Sequence, residues 1–166
     1  EYLNAARKII SKNKNIKFWI VGELGYNNKT ALEQEELEAY TENYAQIEYL
    51  GKVKDMVSVL KKVDVMVLPS YREGLSKSLV EASAMSLPII TTNVAGCREV
   101  VKEGVNGLLC DVKNKDSLVE RIQDMIGFSE SKRIELGKNS RKIATKYFCE
   151  KIVIKTYLNE IWKILL

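Results

Sequence analysis

Residues 64–92 form the stretch DVMVLPSYREGLSKSLVEASAMSLPIITT, which decides the fold. It opens with a short apolar run at residues 64–69, passes through a polar turn that contains one glycine, and closes with a second apolar run at residues 88–92. Between the turn and the second run, residues 76–86 carry apolar side chains at helical spacing. Short, continuously apolar runs are typical of strands buried on both faces. The stretch therefore predicts a strand, a crossover helix and a second strand parallel to the first.

The rest of the chain continues this alternation of extended and helical segments. Further strands are predicted at residues 16–22, 47–50 and 107–111. A polar turn is predicted at residues 26–28. Helices are predicted at residues 2–12, 31–44, 55–63, 98–103, 115–127, 130–146 and 149–165. Strands that alternate with helices form parallel sheets covered on both faces. The predicted fold class is therefore α/β, a Rossmann-like parallel sheet flanked by helices.

Length and composition indicate a single globular domain over residues 1–166. Hydrophobic residues make up 46% and charged residues 29%, a balance typical of folded chains. With two prolines, no internal repeat and no linker-like segment, the sequence offers no internal domain boundary. The net charge of +4 is spread along the chain, so no nucleic-acid surface is predicted. A weak attraction for anionic membranes or phosphorylated ligands is compatible with that charge.

Histidine is absent, and this excludes several kinds of catalytic site from the chain. A Ser-His-Asp triad, a Cys-His pair and a His-ligated metal all need it. The cysteines Cys97, Cys110 and Cys149 are widely spaced and form no CxxC pair. We therefore predict buried thiols in a reducing, cytoplasmic setting rather than a disulfide framework or a zinc site.

The loop at residues 69–76 carries the most informative polar residues. Ligands of open α/β sheets bind outside the carboxyl ends of the strands, and this loop follows such a strand. Ser76 stands at the predicted N-cap of the next helix, where free backbone N–H groups and the helix dipole favour a phosphate. Gly74 lets a ligand approach the backbone closely. The loop therefore predicts an anion site.

Glu81 and Glu73 admit two interpretations from the residues alone. Glu81 stands in a helix that is apolar on nearly every side, where a carboxylate needs partners. It follows Ser76 by five residues, about 7.5 Å along a helix, which is roughly the distance from a diphosphate to the ribose edge of a nucleotide. Ribose hydroxyls would then be its partners, and Glu73 would face a group beyond the phosphates. Alternatively, Glu81 pairs with a nearby Lys or Arg and Glu73 is solvated.

The segment at residues 73–81 resembles the E-x7-E signature of family 4 glycosyltransferases, which have the two-domain GT-B architecture. Glu73 and Glu81 occupy its two glutamate positions, and Gly74 follows the first. The resemblance extends in the family's order over about residues 1–125, through the stretches FWIVGE (18–23), IEYLGKV (47–53), ASAMSLPIITT (82–92), GCREVV (96–101) and GVNGLL (104–109).

The resemblance implies a role for each site residue. Glu81 would hold the nucleotide ribose, and Glu73, the expected catalytic residue, would hydrogen-bond hydroxyls of the donor sugar. Backbone N–H groups of Gly74, Leu75 and Ser76 would bind the diphosphate. The base would contact backbone atoms of Lys52 and Val53. Gly22 would border the cleft. Such enzymes retain the anomeric configuration and require neither a cofactor nor a metal.

Two departures from the family pattern shape the expectation. The family's donor domain opens with a central strand and a loop whose Arg and Lys clamp the diphosphate, whereas Glu1 resembles the start of the helix after that loop. The strands beside the absent one are expected either to pair directly or to leave an imperfect core. Arg72 and Lys77 are nearby cations that would partly substitute for the clamp. The acceptor domain is also absent, so residues 1–166 are expected to be a fragment that binds nucleotide weakly and catalyses little.

The function expected from this resemblance is transfer of a sugar from a nucleotide-diphosphate sugar to a glycan or lipid-linked acceptor. UDP is the expected nucleotide on family frequency, and bacterial surface polysaccharide assembly is the expected setting, at the inner face of the membrane. The alternatives are a GT-B-fold nucleotide-sugar epimerase and a non-catalytic nucleotide-sugar-binding domain. The last helix is apolar at helical spacing, which favours packing onto its own domain or the absent one over peripheral membrane contact; its apolar positions are Ile152, Tyr157, Ile161 and Leu165.

Overall fold

A computed structural model describes residues 1–24 and 32–165. The predicted turn at residues 26–28 and the predicted helix start at residue 31 lie outside the described residues. The strands are β1 (Phe18–Ile20), β2 (Ile47–Tyr49), β3 (Met66–Leu68), β4 (Ile89–Thr92) and β5 (Gly107–Cys110). The helices are α1 (Tyr2–Ile10), α2 (Gln34–Asn43), α3 (Met56–Leu60), α4 (Lys77–Ala84), α5 (Ala95–Val100), α6 (Lys115–Gly127), α7 (Glu130–Tyr147) and α8 (Glu150–Leu165).

The strands pair in parallel, which confirms the predicted fold class. In the unit that decided the fold, Met66 of β3 is in register with Ile89 of β4, and Ile89 is in register with Gly107 of β5. β1 and β2 pair separately, with Phe18 opposite Ile47. Crossover helices follow β1, β2, β3 and β4, as parallel pairing requires.

The sheet is divided, and this decides between the two expectations for the region around β1 and β3. β1 pairs with β2 and β3 pairs with β4, but β1 and β3 do not pair with each other. A groove of about 730 Å³ lies between them, lined by Trp19 from β1, Val67 from β3 and Met125 from α6. The neighbouring strands therefore leave an imperfect core instead of joining directly.

Burial on both faces was predicted for all the apolar strands, and it holds fully for β4 alone. All four residues of β4 are buried because β3 and β5 flank it and helices cover it. All three residues of β3 are only half-buried, because its free edge and side chains face the groove. The prediction was therefore wrong for β3.

Two clusters of buried side chains make up the core. One joins α1, β1 and α6 through residues such as Ile9, Phe18 and Ile122. The other lies beneath α4 and includes Leu79 and Ile89. The first cluster spans both halves of the divided sheet, because it also contains Ile47 of β2 and Ile90 of β4, whereas the second contains Ile89 and so packs on the opposite face of β4.

α5 begins earlier than the sequence predicts. The predicted bounds were residues 98–103, whereas α5 spans Ala95–Val100. The sequence-based start was too late because Gly96 has a low intrinsic preference for helix. Packing overrides that preference, since Gly96 is buried against the backbone of another loop.

α8 does not pack onto its own domain, which was one of the two partners favoured for it. The described side chains of residues 150–163 are all exposed, including Tyr157 at 68% and Trp162 at 60%. Among the described residues, no helix is long and apolar enough to cross a membrane.

Candidate functional site

The loop between β3 and α4 places Glu73 at the carboxyl end of the sheet, as predicted. The chain leaves β3 at Leu68 and enters α4 at Lys77. Ser70 Oγ donates a hydrogen bond of 2.7 Å to Glu73 Oε1. Glu73 is half-buried, so its carboxylate is held on one oxygen rather than simply solvated.

The residues after Glu73 present their backbone at the start of α4. Gly74 and Leu75 are exposed, with Leu75 at 59%. Ser76 occupies the N-cap position in extended conformation, as predicted, but its side chain makes no capping hydrogen bond. The first N–H groups of a helix have no partner within the helix. At α4 these groups are therefore left available to an anion.

Glu81 is more exposed than the sequence indicated. Its side chain is 41% accessible, and Lys77 Nζ lies 3.5 Å from Glu81 Oε1. The expectation of a costly carboxylate on an apolar helix was wrong, because Glu81 faces the groove rather than the core. Lys77 is therefore the nearby Lys partner that the alternative interpretation of Glu81 required. Lys77 is 89% exposed, and a pair this open contributes about 0–1 kcal/mol, so it offers little resistance to a competing ligand.

The loops after β1 and β2 are joined to each other. The N–H of Gly22 donates to the carbonyl oxygen of Gly51 over 3.0 Å. Tyr49 Oη donates to the carbonyl oxygen of Gly22 over 2.8 Å, a contact between distant segments that residue type alone does not predict. Gly22 has φ 151° and Gly51 has φ 65°, a region that favours glycine. The two glycines therefore fix the loops that carry the other predicted site residues.

Lys52 and Val53 follow Gly51 and lie beside the start of α3. Lys52 Nζ is 3.0 Å from Glu23 Oε1, which ties the loop after β2 to the loop after β1. Val53 is half-buried.

The groove connects the two sets of predicted residues. Ser78 and Glu81 line it from α4, while Val21 and Met56 line it from beside Gly22 and Val53. Of the eight predicted site residues, Glu81 itself lines the groove. In the structure, the loop with Glu73 therefore lies on one side of the groove, and the loops with Gly22 and Lys52 lie on the other side.

Three further polar residues lie on the loop before α4 or on α5. Tyr71 Oη donates to Glu1 Oε1 over 2.5 Å, and Lys113 Nζ lies 5.4 Å from the ring centroid, so both the hydroxyl and the ring of Tyr71 have partners within the chain. The hydrogen bond to Glu1 raises the pKa of Tyr71. Glu99 lies in the last turn of α5, which ends at Val100. Arg72 is exposed.

The cysteines and metal ligands add no second site within the described residues. Cys97 and Cys110 are buried free thiols, and burial raises the pKa of Cys110 to about 11. Cys149 is a half-buried free thiol. No group of three His, Cys, Asp or Glu side chains in the described part of the chain is arranged to hold a metal ion.

Comparison with known proteins identifies the class. The chain belongs to the family of glycosyl transferases group 1, whose family model matches residues 1–143. It is 29% identical over 153 residues to the capsular polysaccharide biosynthesis glycosyltransferase CapM of Staphylococcus aureus, covering 92% of this chain and 39% of CapM. It is 35% identical over 116 residues to N,N'-diacetylbacillosaminyl-diphospho-undecaprenol alpha-1,3-N-acetylgalactosaminyltransferase of Campylobacter jejuni, covering 70% of this chain and 30% of that enzyme.

Solved structures agree on the fold. HepE of Anabaena in complex with UDP matches with a TM-score of 0.81 at 20% identity, covering 98% of this chain and 44% of HepE. The C-terminal domain of LpcC, a group 1 family protein from Francisella tularensis, matches with a TM-score of 0.76 at 20% identity, covering 89% of this chain and 77% of that domain. The fold is that of GT-B glycosyltransferases. The chain spans 39% of the length of CapM and 30% of the length of the Campylobacter jejuni enzyme.

Proposed function

We propose that this chain is the donor-binding part of a retaining family 4 glycosyltransferase. It would hold a nucleoside diphosphate sugar whose sugar passes to a glycan or lipid-linked acceptor. One observation carries the proposal: Glu73, the uncapped helix start at residues 74–76 and Glu81 follow one another along the loop and helix at the carboxyl end of β3. Sugar, diphosphate and ribose would bind to these three in the same order.

The diphosphate would bind at the start of α4. Ser76 leaves the first N–H groups of the helix uncapped, and the positive end of the helix dipole favours a negative charge there. In sugar transfer the diphosphate gains charge as the bond to the sugar breaks, so the same N–H groups would stabilise the leaving group without a metal ion. Arg72 and Lys77 are the adjacent cations of the loop and helix, and both are exposed.

The two glutamates would have different roles. Glu81 has two carboxylate oxygens that can accept hydrogen bonds from the paired ribose hydroxyls, and its present partner Lys77 is loosely held. Glu73 would accept hydrogen bonds from hydroxyls of the donor sugar, with one oxygen already fixed by Ser70. Neither residue is assigned as a nucleophile. The chemistry assigned here is binding, orientation and leaving-group stabilisation.

The names of similar proteins support a nucleotide-sugar donor and a polysaccharide or lipid-linked acceptor. HepE is described in complex with UDP and with UDP-glucose. The Campylobacter jejuni relative is named for a diphospho-undecaprenol acceptor, and CapM for capsular polysaccharide biosynthesis. UDP is therefore the first nucleotide to test. Action on a lipid-linked acceptor would put the enzyme in the cytoplasm at the inner face of the membrane.

Replacement of Glu81 by alanine is expected to weaken nucleotide binding by about tenfold or more, since hydrogen bonds to a charged group contribute about 1.5–3 kcal/mol. The measurement is titration of the 166-residue chain with UDP, GDP and ADP, followed by ligand-observed NMR. Glu135→Ala, on the exposed side of α7, is the matched control and should bind like the unchanged chain. No binding of any nucleotide at millimolar concentration, or equal binding by Glu81→Ala, would sink the assignment.

The groove between β1 and β3 supports the proposal that this chain is part of a longer enzyme. Both strands turn an unpaired edge toward it, and the Nε1 of Trp19, which lines it, is buried without a hydrogen-bond partner in the described structure. Tyr71, just after β3, bonds to Glu1 at the start of α1, so a strand that filled the groove parallel to β3 would end beside α1. In the complete enzyme this groove would hold such a strand and join the sheet.

A chain that carries the residues preceding Glu1 in its gene is expected to unfold at a higher temperature than residues 1–166. The same chain should exchange the backbone amides of β1 and β3 with solvent more slowly, because pairing would protect them. The control is an extension of equal length made of glycine and serine, which has no apolar side chains to bury. Equal melting temperatures and unchanged exchange for the two extensions would contradict the added strand.

α8 provides the surface by which this part would meet the rest of the enzyme. Its exposed apolar residues include Ile154, Tyr157, Leu158, Ile161 and Trp162. Exposed apolar surface of this extent marks an interaction site in soluble proteins. The helix carries Glu150 and Glu160 as well as three lysines, so it lacks the strong positive charge that favours an anionic membrane. The proposed partner is therefore the acceptor-binding part of the same enzyme.

A further inference from the structure

The loop between β3 and α4 rests on the end of β4. Thr92 Oγ1 donates a hydrogen bond to the carbonyl oxygen of Ser70. Thr91 Oγ1 donates to the carbonyl oxygen of Leu68 over 2.7 Å. Both threonines are buried, at 0% exposure for Thr91 and 2% for Thr92. The backbone that leads into the candidate site is therefore fixed from beneath by two hydroxyl groups.

Gly96, in the first turn of α5, supports the next part of the same loop. A Cβ atom at residue 96 would lie 1.7 Å from the carbonyl oxygen of Gly74 and 2.3 Å from that of Glu73. Both atoms belong to the backbone, so no side-chain rotation can relieve the contact. The loop can occupy its position only while residue 96 is glycine.

A short relay connects Thr92 to the carboxylate of Glu73. Thr92 fixes the carbonyl oxygen of Ser70, and the Ser70 hydroxyl donates to Glu73 Oε1. Gly96 acts on a different part, because it touches the peptide groups whose neighbours carry the N–H groups at the start of α4. Thr92 therefore acts on the part of the candidate donor site at Glu73, and Gly96 acts on the part at the start of α4.

We propose that Thr92 and Gly96 are positioning residues for the nucleotide sugar. Thr92 would set the Glu73 carboxylate for the sugar, and Gly96 would set the backbone of residues 74–76 for the diphosphate. The inference rests on the proposed function and deepens it. Neither residue would touch the ligand, since both lie beneath the loop in the buried interior.

The two supports are expected to differ in ligand dependence. Thr92→Val keeps the shape of the side chain and removes the hydroxyl, so it should weaken UDP-glucose binding and leave UDP binding unchanged, because UDP lacks the glucose that Glu73 would contact. Thr92→Ser keeps the hydroxyl and should restore UDP-glucose binding. Gly96→Ala should weaken both ligands by about tenfold, since it displaces the groups that bind the diphosphate.

The experiment uses the 166-residue chain and two NMR measurements. The first compares the amide and side-chain resonances of residues 70–76 without ligand in the unchanged chain, Thr92→Val, Thr92→Ser, Gly96→Ala and the control Gly127→Ala. Gly127 ends α6, and an added Cβ there meets nothing within 4 Å. The second measurement determines the dissociation constants of UDP and UDP-glucose for the same set.

Support for the inference is a shift of the Glu73 resonances in Thr92→Val that Thr92→Ser reverses, together with the selective loss of UDP-glucose binding. Unchanged Glu73 resonances in Thr92→Val overturn it, whether or not nucleotide binds. Equal loss of UDP and UDP-glucose in Thr92→Val also overturns it, since a general structural defect would have that effect. If the unchanged chain binds neither ligand, the proposed function fails, and the ligand-free resonances still decide whether Thr92 positions Glu73. If Gly96→Ala does not fold, the two Thr92 variants carry the test.

Discussion

Replacement of Asn106 by alanine is expected to lower the free energy of unfolding by about 2–4 kcal/mol, because it leaves two backbone groups unpaired. Asn106 is completely buried. Its Oδ1 accepts a 2.7 Å hydrogen bond from the N–H of Lys102, and its Nδ2 donates to the carbonyl oxygen of Val100 over 3.1 Å. These bonds close the turn between α5 and β5. The turn leads directly into Gly107, the first residue of β5, which is in register with Ile89 of β4.

Urea unfolding of Asn106→Ala and the unchanged chain measures this difference. Asn15→Ala is the matched control, because Asn15 is exposed in the turn before β1, and its replacement should change stability by less than about 0.5 kcal/mol. A loss for Asn106→Ala as small as that of the control would show that the turn is held by other contacts.

Replacement of Gly137 by alanine is expected to destabilise the fold by about 1–3 kcal/mol, although alanine is the better helix former. Gly137 lies in the middle of α7, where a Cβ atom would come within 2.1 Å of the carbonyl oxygen of Ser86. Ser86 itself has φ 62°, so its backbone has little freedom to retreat. α7 would therefore have to move away from the end of α4, the helix that carries Glu81.

Gly127→Ala, at the end of α6, provides the control for this comparison. Nothing lies within 4 Å of an added Cβ at that position, so helix propensity should dominate and stability should be unchanged or slightly higher. Opposite signs for the two glycine variants in thermal unfolding are the expected result. Equal effects would mean that α7 does not depend on the close approach to Ser86.

The alternation of strands and helices could be predicted because each element has a clear apolar pattern. Residues 64–69 and 88–92 predicted β3 and β4 and their parallel direction, whereas the register of Met66 with Ile89 is seen only in the structure. The start of α5 could not be predicted. A glycine lowers the local preference for helix, and the sequence gives no sign that Gly96 packs against a loop more than twenty residues earlier.

The loops on which the candidate site residues lie could be predicted from the order of elements, but the surroundings of their side chains could not. Glu73 lies at the carboxyl end of β3, as the order of elements required. The exposure of Glu81 was misjudged because its apolar neighbours in sequence do not show which side of α4 faces the groove. The contributions of Thr92 and Gly96 depend on contacts between distant segments, and residue type alone carries no signal for them.

The most direct test of the donor-site assignment is a map of which backbone amides respond when the ¹⁵N-labelled chain is titrated with UDP. We expect the largest changes in amide chemical shift at Gly74, Leu75 and Ser76. Smaller changes are expected at Gly22, Lys52 and Val53 on the other side of the groove. Shifts confined to other surfaces such as α7, or no shift at millimolar UDP, GDP or ADP, would contradict the assignment of this site as the nucleotide-sugar site.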